Sequence, residues 1–333
     1  MTVRSFAKIN LGLCIGPPRA DGFHELATIY QTVAWHDQVS VEVAEGSGIE
    51  VHCAAEGVPN DEKNTCHHMA GLVLEAAGVK RRVRVRIEKT LPVQGGLGGA
   101  SSNAVATLLG LEKELGVELG REQELALAAQ VGSDLSLFLI GGTVLGWGRG
   151  EQVQPAPDLP PLPCVLATPP IGISTPRAFA DWDGHEGGRD GEKLTHSQAS
   201  ARMNAFNSAA FLWLNGFMPR AQAPGRLTSG VPVQDDRGRA ETLLLDLVRA
   251  GIANDFEEVV FPQHPELAEI KRGLEKAGAR YASLSGSGST VYGLFCSAGE
   301  ADAAASTLLA AGVPARATRT LTRKEYWDGV VLG

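Results

Sequence analysis

The sequence predicts an α+β or α/β protein of two packed domains, and three observations carry that prediction. The chain has 333 residues, more than one hydrophobic core usually organises. Its first hundred residues read mainly as strands, whereas its last hundred alternate helix and strand. Between these halves lies a proline-rich stretch, "QPAPDLPPLP" (154–163), which cannot continue a helix and reads as a linker or domain edge.

Each element follows from local pattern. "VSVEVAE" sets Val39, Val41 and Val43 against polar neighbours, and "VRVRIEK" does the same with Val83, Val85 and Ile87. Alternation with period two means a strand with one buried face. Between them, "TCHHMAGLVLEAAG" has helical spacing at Met69, Val73 and Leu74 and stops at Gly78, a C-terminal cap. Helices are expected over 102–115 and 122–131, closed by Gly116 and Gly132. Past the prolines come a short strand (164–168), a polar loop (181–198), a helix (201–217) and a second loop (220–240). A helix (265–277), a strand (290–295), a helix (300–311) and the segment "VPARATRTL" complete the chain.

Composition narrows the class. Hydrophobic residues at 44% and charged ones at 20% suit a soluble globular protein and exclude global disorder. A net charge of -8 disfavours nucleic-acid binding, which needs a basic surplus against phosphates. Five scattered cysteines, none spaced C-x-x-C, fit a reducing compartment better than a disulfide framework. No signal-peptide pattern and no membrane-length apolar run is visible, so a soluble cytoplasmic protein is expected.

The richest segment is "LPVQGGLGGASSNAVATLLGL" (91–111). A helix start exposes unpaired N–H groups with partial positive charge, and glycines let an anion approach them closely. Ser101 or Ser102 can cap that helix. Neither G-x-x-x-x-G-K-[ST] nor G-x-G-x-x-G is present. Taken alone, such glycines favour the plainer reading, a turn that packs the helix tightly on the strand. Three further segments have equally plain readings in isolation. Lys8 and Asn10 share one face of an apolar strand, where a lysine can snorkel to water. Asp134 follows a helix stop and can cap the next helix. Gly286 and Gly288 precede a strand, as in an ordinary turn.

Together, "AKINLGL", "PVQGGLGGASSNA", "QVGSDLSLFL" and "LSGSGSTVY" resemble the motifs of the GHMP kinase superfamily, in the expected order. "RADGFHEL" and "NDFE" (254–257) narrow the resemblance to the branch that phosphorylates a cytidine diphosphate sugar alcohol in non-mevalonate isoprenoid synthesis. The resemblance covers most of residues 4–180 and 250–296. It implies an α+β fold: an N-terminal mixed β/α nucleotide domain (1–155) and a C-terminal ferredoxin-like α/β sandwich (156–333), with the active site in the cleft between them. A long insertion is expected at about 181–240.

The resemblance also implies roles. Lys8 and Asp134 would be the catalytic pair. Pro92, Gly95, Gly96, Leu97, Gly98, Gly99, Ser101 and Ser102 would wrap the ATP phosphates, with Asn64 and Lys89 near the nucleoside. Asn10, Phe23, His24, Thr175, Phe179, Gly286 and Ser287 would bind the substrate, Phe23 and Phe179 sandwiching its cytosine while His24 bonds the base edge. Mg²⁺ is implied by ATP chemistry, with Ser101 and Ser102 as hydroxyl candidates, and no protein metal site is expected. His67 and His68 read as helix-surface residues. Departures are visible too: Leu135-Ser136-Leu137 replaces the usual Val-Pro-Phe, Phe23 stands where tyrosine is commoner, and the middle of the second half is longer. The alternatives are a homoserine- or mevalonate-type kinase, or a non-catalytic sensor on the same scaffold, which would be free to lose Lys8 or Asp134.

Overall fold

The computed structural model describes residues 1–185, 195–216 and 236–331. The first half runs β1 (Thr2–Pro18), β2 (His24–Ala44), β3 (Gly48–Cys53), α1 (Thr65–Ala76), β4 (Arg82–Glu88), α2 (Gly99–Leu115), α3 (Arg121–Val131), α4 (Leu135–Phe138), β5 (Thr143–Trp147) and β6 (Gln152–Pro155). The second runs β7 (Pro163–Ala167), α5 (Thr175–Gly184), α6 (His196–Gly216), α7 (Asp236–Arg249), α8 (Glu257–Gln263), α9 (Pro265–Lys276), β8 (Tyr281–Leu284), β9 (Val291–Leu294), α10 (Ala298–Ala310), β10 (Ala315–Arg319) and α11 (Arg323–Val330).

The alternating valines do what period two dictates. In β4 every second residue (Val83, Val85, Ile87) is buried under α1 and α2, while Arg82, Arg84, Arg86 and Glu88 face water. Sheet one has the order β3-β4-β2-β5-β6 with β1 also paired to β2. The long antiparallel β1–β2 ribbon sets Asn10 opposite Tyr30 and Lys8 opposite Thr32, so Lys8, Asn10 and Tyr30 share one face of the ribbon. Sheet two is antiparallel with the order β10-β7-β9-β8, covered by α8, α9 and α10 around Leu267, Leu274, Val291 and Phe295.

Four local expectations change. Gly98, at φ +70°, caps α2, and neither Ser101 nor Ser102 does so. A left-handed glycine turns the chain into the helix earlier than serine caps would, leaving both serines inside the first turn. The proline-rich stretch is a crossing between the sheets but not a solvated linker, because Ala156, Leu159 and Leu162 are buried in a core beneath β1 and β7. The polar segment 181–198 is partly helical, ending α5 and starting α6; residues 186–194 lie outside the described residues, as does most of the second expected loop. The C-terminal α11 returns to the first core, where Tyr326 and Val330 are buried and the Tyr326 hydroxyl donates to the Phe138 carbonyl at 2.7 Å.

Within the expected insertion, the described helix α6 packs inward. Along β1, a Cβ at Gly12 would meet Phe206 of α6 at 3.0 Å, and one at Gly16 would meet Met203 Sδ at 2.4 Å. Arg202 of the same helix pairs with Asp255 at 2.8 Å. In the departing tripeptide, Leu135 and Leu137 fill the first core, and the buried Ser136 hydroxyl has no hydrogen-bond partner. All five cysteines are free and buried. Among the described residues no helix is long and apolar enough to cross a membrane.

Candidate active site

The glycine loop lies where β1, α2 and the second glycine turn meet. Its backbone is tied on both sides: Lys8 N donates to Leu97 O (3.0 Å), Thr290 N to Gly95 O (3.1 Å) and Ser285 Oγ to Gly96 O (2.9 Å). Such close approach requires glycine. At Gly96 (φ +75°) a Cβ would sit 2.1 Å from Ser285 O, and at Gly98 one would sit 2.9 Å from the Phe138 ring. With no side-chain cap and no acidic residue in its first turn, α2 presents its leading amides and the positive end of its dipole to an anion.

A cavity of about 390 Å³ opens onto this loop and reaches Asn64 and Lys89. Both of those side chains are already engaged. Asn64 caps α1 by accepting from Cys66 N (2.9 Å) and donates to Pro59 O (2.6 Å). The Lys89 ammonium is bound at 2.6 Å to Asp37, which is fully buried and also accepts from the amides of Thr90 and Leu91. These contacts fix both side chains at the cavity wall, and each keeps further N–H donors, one on the Asn64 amide and two on the Lys89 ammonium.

A second cavity, about 330 Å³, shares Gly96, Gly98 and Ser101 with the first. It gathers Lys8, Asn10, Phe23, His24, Asp134, Thr175, Phe179, Gly286 and Ser287, so the structure brings together residues as far apart in sequence as 8 and 287. Lys8 is 3% exposed, not a snorkelling surface lysine. Its ammonium lies 3.2 Å from Asp134 Oδ2 and donates to Asn10 Oδ1 at 2.7 Å. The Asn10 amide in turn donates to Thr28 Oγ1 (2.8 Å). Asp134 stands at the N-cap of α4 but makes no capping bond; its carboxylate points to Lys8 instead.

The aromatic wall comes from three segments. His24 stacks on Phe179 (5.3 Å, 10°), Phe256 of the "NDFE" stretch meets Phe179 edge-on at 5.0 Å, and His24 Nε2 lies 2.8 Å from Asp183. One face of Phe179 is thus covered by His24. Phe23 is half exposed beneath the Arg149 guanidinium, 5.0 Å away. Thr175 Oγ1 and Ser287 Oγ are 2.9 Å apart, and the Asn254 side chain holds the second glycine turn through Leu284 O and Gly286 O, both at 2.8 Å.

Ser101 lines both cavities, whereas Ser102 is buried beneath the loop and lines neither. Two residues of the second cavity carried no sequence signal, Tyr30 and Arg149. Tyr30 reads as one more apolar strand position, and Arg149 sits in the "GWGRGE" turn; only the strand register and the β5–β6 turn bring them in. Burial, with Asp134 beside it, pushes the Tyr30 phenol well above its ordinary range, so it stays a donor.

A strand-borne ammonium, a carboxylate and a glycine cradle at a helix start are the kinds of group that phosphoryl transfer from a nucleotide uses, and the chain's likenesses point to the GHMP kinase class. Residues 64–142 match the model of the GHMP kinases N terminal domain, and residues 239–314 match that of the GHMP kinases C terminal domain. A curated relative from Solibacter usitatus, named 4-diphosphocytidyl-2-C-methyl-D-erythritol kinase, is 36% identical over 295 residues, 88% of this chain and 80% of the relative. One of the same name from Bacillus cereus is 33% identical, covering 88% of each. A crystal structure of 4-(cytidine 5'-diphospho)-2C-methyl-D-erythritol kinase superposes with a TM-score of 0.70 at 28% identity, over 96% of this chain and 99% of that one. The fold is shared more widely: a homoserine kinase from Cytophaga hutchinsonii gives a TM-score of 0.71 at 18% identity, over 97% and 94% of the two chains. The chain belongs to the 4-diphosphocytidyl-2-C-methyl-D-erythritol kinase family.

Proposed function

We infer that the chain transfers the γ-phosphoryl group of ATP to the 2-hydroxyl of 4-diphosphocytidyl-2-C-methyl-D-erythritol, giving the 2-phosphate and ADP. The observation that carries this reading is the Lys8–Asp134 pair, 3.2 Å apart, in the cavity that joins the glycine loop. ATP lies in the first cavity with its phosphates along Gly95–Ser101. The cytidine substrate lies in the second, its base against Phe23, His24 and Phe179 and its reacting hydroxyl beside Asp134. Arg149, on the same wall, offers a cation to its diphosphate.

The acceptor oxygen attacks the γ-phosphorus, the bond to the β-γ bridging oxygen breaks, and the hydroxyl proton passes to Asp134. Lys8 neutralises charge that develops on the transferring group. Because that transition state is loose, positioning and electrostatics do most of the work. Mg²⁺, when bound with the nucleotide, would supply further charge neutralisation. The donor set suits an ion carried mainly by nucleotide and water: Ser101 offers a hydroxyl and Asp134 a carboxylate. Among the described residues there is no group of three His, Cys, Asp or Glu able to hold a resident metal. We further assign the domain division to residues 155–156, where the chain leaves one sheet for the other.

The test is turnover of ATP with the cytidine substrate, against homoserine and mevalonate as controls. Transfer to the cytidine substrate alone is expected. Equal or faster transfer to either control would overturn the assignment.

A further inference from the structure

The Lys8–Asp134 pair has a third member. The Tyr30 hydroxyl donates to Asp134 Oδ1 at 3.0 Å, while Lys8 engages Oδ2 of the same carboxylate. Asp134 is a third exposed at the cavity edge and makes no capping bond that would fix its side chain. One donor alone leaves a carboxylate free to swing about that contact. Two donors on different oxygens fix the plane of the group.

Those donors come from neighbouring strands in a register that puts them on one face. The sheet around the ring is shaped to admit it. A Cβ at Gly146 of the paired strand β5 would stand 2.6 Å from Tyr30 Cε2, and one at Gly150 would stand 2.5 Å from the hydroxyl. Gly150 also approaches Asp134, its would-be Cβ lying 3.7 Å from Oδ1. Two glycines therefore make room for a ring whose hydroxyl reaches the carboxylate. Lys8 Nζ lies 5.6 Å from the centre of that ring, so the three groups form one packed unit.

We propose that Tyr30 is a positioning residue for phosphoryl transfer, holding the Asp134 carboxylate in the plane in which its Lys8-bound oxygen faces the substrate hydroxyl. Tyr30 is almost wholly buried and acts through Asp134, not on substrate. This rests on the reading of Asp134 as the group that takes the hydroxyl proton. A buried tyrosine that merely satisfies its own hydroxyl predicts a different outcome.

The experiment is a double-mutant cycle on kcat with Tyr30→Phe and Asp134→Asn. Tyr30→Phe should lower kcat on the order of tenfold and leave KM for ATP and for the cytidine substrate within about twofold, the pattern of a lost transition-state interaction. In the Asp134→Asn background the same change should alter the residual kcat by less than about twofold, because paired groups are not additive. Unchanged kcat in Tyr30→Phe, or an equal drop in both backgrounds, overturns the proposal. Near-normal kcat in Asp134→Asn alone overturns the catalytic reading instead, so the two failures are distinct. Should the phenylalanine variant fold poorly, 4-methylphenylalanine and 4-aminophenylalanine at position 30 fill the space of the phenol. Only the amino form donates, so it should retain most of kcat while the methyl form loses it. Equal kcat for the two forms would count against Tyr30.

Discussion

The two cavities of this molecule are built from different material. The first is a backbone site, in which glycines 95, 96, 98 and 99 and the leading end of α2 form its floor, while its two best polar side chains, Asn64 and Lys89, are already engaged. The second is a side-chain site, where Lys8, Asp134, Tyr30, Arg149, His24 and Phe179 arrive from five separate stretches of chain. On the function proposed above, the backbone site binds what every nucleotide triphosphate shares, its phosphates, and the side-chain site selects one acceptor and performs the chemistry. Substitutions should therefore sort cleanly between the two.

The largest effect is expected at the chemistry. Lys8→Ala should lower kcat about a thousandfold with the fold retained, measured as steady-state turnover beside a thermal-unfolding curve. A next, smaller effect should fall on the backbone site alone. Gly96→Ala drives a methyl group into Ser285 O and strains a positive φ, so nucleotide affinity should drop about tenfold or more. Calorimetric titration with an unreactive ATP analogue checks it, and unchanged affinity would blur the distinction between the cavities. Phe179→Ala should do the converse, raising KM for the cytidine substrate about tenfold while KM for ATP stays within about twofold.

The smallest expected effect concerns the clasp between α6 and the substrate side. Burial pushes the Asp255 carboxyl up to about 6, with Arg202 opposing that rise. The folded chain then holds this proton more tightly than the unfolded chain does, where a carboxyl titrates near ~3.9. The contribution is full below about pH 4 and declines as pH rises towards 6. Asp255→Asn, which cannot ionise, should lack this decline. Thermal midpoints of the two proteins should therefore converge or cross in favour of the variant between pH 4 and 6, and parallel curves would contradict the assignment.

The same contrast explains what could be read from sequence. Backbone features leave compact signatures, so "GGLGGASSNA" marked a tight glycine turn at a helix start, and alternating valines marked β4. Lys8 and Asp134 were legible through their motifs, although each had an ordinary alternative reading. Tyr30 was not legible, since its role depends on the β1–β2 register and on glycines at 146 and 150 that only tertiary packing places beside it. Nor was the return of α11 to the first core. Its Tyr326 meets Phe138 across 188 residues of sequence, and no local pattern encodes that contact. The helix cap was misread for a related reason: serine is the stronger cap by propensity, yet close packing of the loop against Ser285 and Phe138 demanded glycine.

The most direct measurement combines binding and turnover in folded Asp134→Asn. Calorimetry should show the ATP analogue and the cytidine substrate binding with near-normal affinity, while kcat falls about a hundredfold or more. Near-normal turnover in that variant would mean the carboxylate beside Lys8 is not where phosphoryl transfer takes place.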